Sequence, residues 1–171
     1  MLDWITLRRW YLLVAIACAG LLGTALYFQY AMYMDPCPLC IFQRIAFLWI
    51  GLVALLAALF YPGRGGQRVF TGLIVLGGIV GAGVAGRHFY LQNLPPGEIP
   101  DCGPGLSYML ETAPFFDVMK TVLVGDGNCA EVKWSFLGLS MPGWTFVWYI
   151  GLALATVWFT RVQARREEVR P

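Results

Sequence analysis

Cys37 and Cys40 stand three residues apart in Asp35-Pro-Cys-Pro-Leu-Cys-Ile-Phe-Gln-Arg44, with an arginine four residues past the second thiol. A Cys-x-x-Cys closes too small a ring to restrain an unfolded chain much, so it is a poor staple. It is a good redox couple, because one thiol attacks and the other resolves. If a helix starts near Cys40, then Cys40 and Arg44 share a face one turn apart. The first turn of that helix also favours an anion, and Pro36 and Pro38 suit a chain bending into a helix start. Together these features favour a thiolate at Cys40.

Further along, Cys102 and Cys129 bracket 26 residues. One CxxC plus two cysteines so far apart is a poor zinc pattern, since the second pair forms no short knuckle. His88, the single histidine, follows Arg87 and precedes Gln92. Placed at the same depth as Arg44 on a neighbouring helix, His88 would polarise a carbonyl or steady a developing oxyanion. A membrane-soluble carbonyl oxidant is a quinone.

The elements that must hold these groups are membrane helices. The chain has 171 residues, 58% hydrophobic and 13% charged, against about 25% charged in soluble domains. Uncharged runs cover Trp10 to Met34, Ile45 to Gly63, Val69 to Gly86 and Trp134 to Thr160. About 20 apolar residues cross a bilayer core as a helix. The expectation is an all-α membrane protein: one domain over 1–171, a four-transmembrane-helix bundle with spans near 11–32, 41–61, 69–90 and 144–161. No sustained period of two suggests a membrane barrel. The first run is longer than a signal-peptide core and three more spans follow, so it reads as a retained span.

Basic residues set the orientation. Arg8, Arg9, Arg64, Arg68, Arg161, Arg165, Arg166 and Arg170 make 8 of the 12 Lys and Arg. With four spans they share one side, which places both termini in the cytoplasm. A short loop near 33–40 and a long one near 91–143 then lie outside. The long loop carries six acids against Lys120 and Lys133. The overall charge of +2 is thus a topology signal and not a nucleic-acid footprint. Cys37, Cys40, Cys102 and Cys129 all fall on the outer side, where disulfides are permitted.

At these residues the chain resembles the bacterial disulfide bond formation protein B family of inner-membrane thiol–quinone oxidoreductases. The resemblance rests on CPLCIFQR, on GRHFYLQ around His88, and on GDGNCAEVKWSFLGLSMPGW around Cys129. It implies that a periplasmic DsbA-like thioredoxin-fold protein is reoxidised by a Cys102–Cys129 disulfide, with Cys102 attacked and Cys129 leaving. Electrons would then reach the Cys37–Cys40 pair through a Cys37–Cys102 bridge. Cys40 would face ubiquinone or menaquinone, with Arg44 and His88 on the quinone side. Two departures stand out: Arg87 and Gln43 occupy positions where the family pattern tolerates an acid.

Other features read as structure. Segment 105–125 has rough helical spacing, interrupted by Pro114, and would lie on the outer membrane surface. Gly81-Ala-Gly-Val-Ala-Gly86 matches GxGxxG, but inside an apolar span it reads as close helix packing. Cys18 reads as a small packed hydrophobe. Trp10, Trp144, Trp148 and Tyr149 read as interface anchors. Two rival functions remain. A vitamin K epoxide reductase-like thiol–quinone enzyme would carry its loop pair before the CxxC, the reverse of this order. A non-catalytic scaffold with structural disulfides gives no reason for Arg44.

Overall fold

The computed structural model describes residues 6–61, 63–95, 114, 127–132 and 134–169. Four long helices form the body: α1 (Leu7–Tyr30), α2 (Pro38–Phe60), α3 (Arg64–Gln92) and, last in the chain, α5 (Met141–Val169). Each is long and apolar enough to cross a membrane. Between α3 and α5 come a short helix α4 (Gly127–Ala130) and a two-stranded ribbon, β1 (Ser135–Phe136) with β2 (Leu139–Ser140). The strands are antiparallel, Phe136 opposite Leu139. Leu137 and Gly138 both have positive φ, 52° and 80°, as a tight hairpin turn twisting with its strands requires. Cys102 and segment 105–125 lie outside the described residues, Pro114 excepted.

The helices begin three to five residues earlier than the expected spans. Hydropathy marks the hydrocarbon core, whereas backbone hydrogen bonding carries the helix on past it, through Arg8 and Arg9 in α1 and through Arg64 and Arg68 in α3. The start of α2 is set by Cys37, the N-cap residue, whose sulfur accepts the Cys40 backbone N–H at 3.3 Å. Pro38 follows at a position where its missing N–H costs nothing.

α2 packs on α1 and α3, and α3 packs on α5. The core runs along these seams through Tyr11, Val14, Ile50, Ala54, Ile74, Ala82 and Tyr149. Small residues set the helix spacing where it is closest. A methyl at Gly81 would lie 2.4 Å from the Tyr149 ring, and one at Gly77 would lie 2.8 Å from Trp49. The expected close-packing role holds there, while Gly83 faces open space. Cys18 is buried against Gly51, as a small hydrophobe would be. Large apolar side chains such as Ile16, Ile79 and Leu154 point outward, as lipid contact demands.

Tyr149 departs from the expectation of an interface anchor. It is fully buried, stacks on Phe47 with centroids 4.1 Å apart, and donates its hydroxyl to the Gln43 carbonyl at 2.6 Å. A phenol with a partner for its O–H is stable in the core. Trp10 likewise turns toward α5, stacking on Phe159 at 4.2 Å and donating to Thr156 at 3.2 Å. At the same end Arg8 donates to the Ala58 carbonyl near the end of α2, at 3.0 Å.

Candidate functional site

α1 and α5 meet through Trp10 and Phe159 at the end where the chain begins and part toward the other. The gap is a cavity of about 370 Å³. Its walls are apolar side chains of α1 and α5, including Leu21, Phe28 and Trp148, and its rim is the ribbon with Trp134 and Phe136. Phe28 contacts Trp134 at 5.7 Å, and Trp134 stacks on Phe136 at 5.9 Å. Trp144 donates its indole N–H to the Phe136 carbonyl at 3.0 Å. The polar groups on the cavity wall include Cys37, Cys40, Gln43, Arg44, His88 and Gln92.

The two thiols at the start of α2 lie with their sulfurs 3.0 Å apart. His88, in the last turns of α3, reaches both: Nε2 is 3.7 Å from Cys37 Sγ and Nδ1 is 4.0 Å from Cys40 Sγ. The expected juxtaposition of His88 with the CxxC is therefore present. His88 is only 3% exposed, so its ring needs polar partners. Gln43 supplies one, its side-chain nitrogen 3.1 Å from Nδ1, and Thr145 donates to the Gln43 side-chain Oε1 at 2.7 Å.

Cys129 completes the cluster. It is 1% exposed and packs with Cys37, Leu39 and Leu91. The ligating atoms of Cys37, His88 and Cys129 all lie within 4.8 Å of one another. Cys37 is hydrogen-bonded to Cys129, and that bond, then the one to Cys40, then burial, raises the Cys37 pKa above the ordinary thiol value. The chain distance from 37 to 129 hides this meeting from the sequence. Cys102 lies outside the described residues, so the Cys37–Cys102 bridge has no described counterpart, and the long-loop thiol found against Cys37 is Cys129.

Arg44 is placed differently from the expectation. It does line the cavity, yet its guanidinium donates to Gln29 Oε1 and, at 3.0 Å, to the Ala25 carbonyl, both on α1. Spacing of four puts Arg44 on the same face as Cys40. The long side chain then crosses to α1, where a carbonyl and an amide oxygen offer acceptors the thiol cannot match. The polar side chains described against Cys40 are Cys37 and His88. Arg87 lies over the Tyr90 ring, 5.4 Å from its centroid. Gln92 donates to the Glu131 carbonyl at 3.4 Å, and its buried Oε1 has no hydrogen-bond partner among the described residues.

A family profile described as Disulfide bond formation protein DsbB matches residues 7–159, which includes α1, α2, α3, the larger part of α5 and the thiol cluster. The chain belongs to the disulfide bond formation protein B family. Disulfide bond formation protein B of Saccharophagus degradans is 48% identical over 151 residues, 88% of this chain and 91% of that one. The protein of the same name from Hahella chejuensis is 50% identical over 158 residues, 92% and 94% of the two chains. Such coverage makes this a disulfide bond formation protein with oxidoreductase character, carried on a multi-pass membrane bundle. In these family terms, sequence reasoning missed Gln43 as a partner of His88, together with Thr145 and Tyr149. Gln43 was visible only as a departure from an acid, and its partners are 102 and 106 positions away.

Proposed function

We propose that this protein oxidises a periplasmic DsbA-like thioredoxin-fold dithiol protein and passes the electrons to ubiquinone or menaquinone in the inner membrane. The observation that carries this reading is the thiol cluster at the wall of the apolar cavity, where Cys37 touches both Cys40 and Cys129.

The sulfur chemistry runs as exchanges between thiolates and disulfides. The partner's thiolate attacks Cys102 of a Cys102–Cys129 disulfide, forming a mixed disulfide and releasing Cys129 as thiolate. Cys129 then attacks Cys37 of the Cys37–Cys40 disulfide, forming a Cys37–Cys129 bond and releasing Cys40 as thiolate. The partner's second thiol attacks its own mixed disulfide and leaves oxidised, freeing Cys102. Cys102 attacks Cys129, which restores the loop disulfide and releases Cys37. The net result is one oxidised partner and a reduced Cys37–Cys40 pair. Contact between Cys37 and Cys129 favours this order over a Cys37–Cys102 bridge.

The cavity suits a quinone head. Apolar walls match the ring and tail, and sites for ligands of that size span about 300–1,000 Å³. Arg44 keeps N–H groups beyond its two bonds to α1, and the orphaned Gln92 Oε1 is an acceptor for a hydroxyl. When bound, the quinone supplies a two-electron, two-proton acceptor for the Cys37–Cys40 pair. His88 stands within reach of both sulfurs as the group to relay a proton, with Nε2 toward Cys37 and Gln43 beside Nδ1. Both termini face the cytoplasm and the loops with the four reacting thiols face the periplasm, on the arginine distribution.

The test is anaerobic. Purified protein, a reduced DsbA-like protein and a quinone analogue are mixed, and quinone absorbance is followed. Quinone reduction that needs the partner, Cys40 and Cys129 is expected. Intact quinone with both ubiquinone and menaquinone analogues would move the protein to the class of non-catalytic scaffolds.

A further inference from the structure

The geometry points to a thiophilic divalent-metal site, formed by Cys37, Cys129 and His88, that exists only in the reduced protein. The binding itself does not depend on the quinone reading.

The donor set is suited to the ion. Tetrahedral zinc holds thiolates at about 2.3 Å and imidazole at about 2.0–2.1 Å, so its ligand atoms sit about 3.5–3.8 Å apart. Cys37 Sγ and His88 Nε2 are already 3.7 Å apart, and the set of three lies within 4.8 Å. Contraction by about an ångström completes a three-ligand site of the kind zinc adopts when its fourth position is open. All three residues are buried. Two thiolates and a neutral imidazole around a divalent cation sum to zero charge, which is the balance a buried site requires. Binding releases the two thiol protons and forms two metal–sulfur bonds, with no change in oxidation state.

The surroundings also fit. A ligating imidazole donates its other N–H to an oxygen. Gln43 faces Nδ1 at 3.1 Å, and turning its amide over presents Oε1 to an Nδ1–H. Its nitrogen then donates to Thr145, whose hydroxyl passes its hydrogen to the Pro142 carbonyl at 3.0 Å. Every group stays satisfied in either setting, so Gln43 supports both the metal-free and the metal-bound ring. The zinc pattern was absent from the cysteine spacing because the third ligand is a histidine 51 residues from Cys37. A disulfide at either cysteine removes a thiolate and abolishes the site. On the relay reading above, a bound cation ties up the two sulfurs that must exchange, so zinc or cadmium stops the reduced enzyme.

The experiment uses the full chain in detergent, reduced and desalted without oxygen, with neither quinone nor partner present. Cadmium is titrated in while the ultraviolet thiolate-to-cadmium band and proton release are followed. One equivalent, two protons and displacement by zinc are expected. Cys37→Ser and Cys129→Ser should each weaken binding by about 100-fold or more, and Gln43→Ala by about 10-fold. Cys18→Ser and Cys102→Ser should leave it unchanged. In the unsubstituted protein, cadmium should protect Cys129 from alkylation, and also Cys37 at alkaline pH where its metal-free alkylation is measurable, a readout that survives if a variant misfolds. A band in the oxidised protein, no band in the reduced one, or loss with Cys102→Ser but not with Cys37→Ser would overturn the site.

Discussion

The side-chain nitrogen of Gln43 lies 3.1 Å from His88 Nδ1, while Thr145 donates to the Gln43 side-chain Oε1 at 2.7 Å. In this setting of the amide its N–H donates and Nδ1 accepts. With the amide set this way, a neutral ring carries its hydrogen on Nε2, toward Cys37 Sγ 3.7 Å away. One amide bonded to α5 thus supports the imidazole that faces both thiols.

Gln43→Ala is expected to lower stability by about 1–3 kcal/mol, the cost of taking the amide partner from a buried ring nitrogen. Quinone reduction should slow as well, because the ring loses the amide that positions it. A thermal melt in detergent and single-turnover quinone absorbance check the two effects. A variant with unchanged melt and rate would show that His88 needs no positioning.

For Arg44→Lys the expected change is in KM for a quinone analogue more than in kcat. A single ammonium cannot reproduce the forked bonds to Gln29 and the Ala25 carbonyl. The cavity wall between α1 and α2 loosens in consequence, while the sulfur exchanges remain intact. Steady-state kinetics with reduced partner in excess separate the two constants. A fall in kcat with KM unchanged would instead put Arg44 at the reacting atoms.

Cys37 should resist alkylation at neutral pH in the reduced protein. Its pKa is raised from 9.0, first by the hydrogen bond to Cys129, so the thiol stays protonated through neutral pH and the reactive thiolate fraction is small. The alkylation rate should still be climbing with pH at pH 9. Cys129→Ala removes the largest cause and should bring the curve toward ordinary thiol behaviour. Mass-spectrometric mapping across a pH series reads this directly.

Gly81→Ala is expected to cost about 1–3 kcal/mol through overpacking, since its methyl would meet the Tyr149 ring at 2.4 Å. Gly83→Ala, with nothing within 4 Å, should be neutral or slightly stabilising. Paired melts of the two variants make the comparison.

The four spans were legible because bilayer thickness imposes a length on every uncharged run, and Ile45 to Gly63 falls almost wholly inside α2. The CxxC at a helix start was legible as well, from Pro38 and the local spacing. Arg44 was legible only as a position: sharing a face with Cys40 fixes the Cα, while the choice of acceptors on α1 depends on a neighbour 15 and 19 residues back. Tyr149 was misread because an aromatic near a span end looks the same whether it faces headgroups or Phe47. The ribbon at 135–140 has strands of two residues each, too short to give an alternating pattern. Its signal was Leu137-Gly138.

The ribbon has one more effect. Trp134 is held between the rings of Phe28 and Phe136, and it follows Cys129 by only five positions. A chain reaches at most about 3.3–3.6 Å per residue, so Cys129 has a tether of about 17 Å while those ring contacts last. The sulfur cannot trail after a departing protein partner. It is kept within a small volume around Cys37, where its effective concentration toward that one sulfur stays high whatever the rest of the loop does.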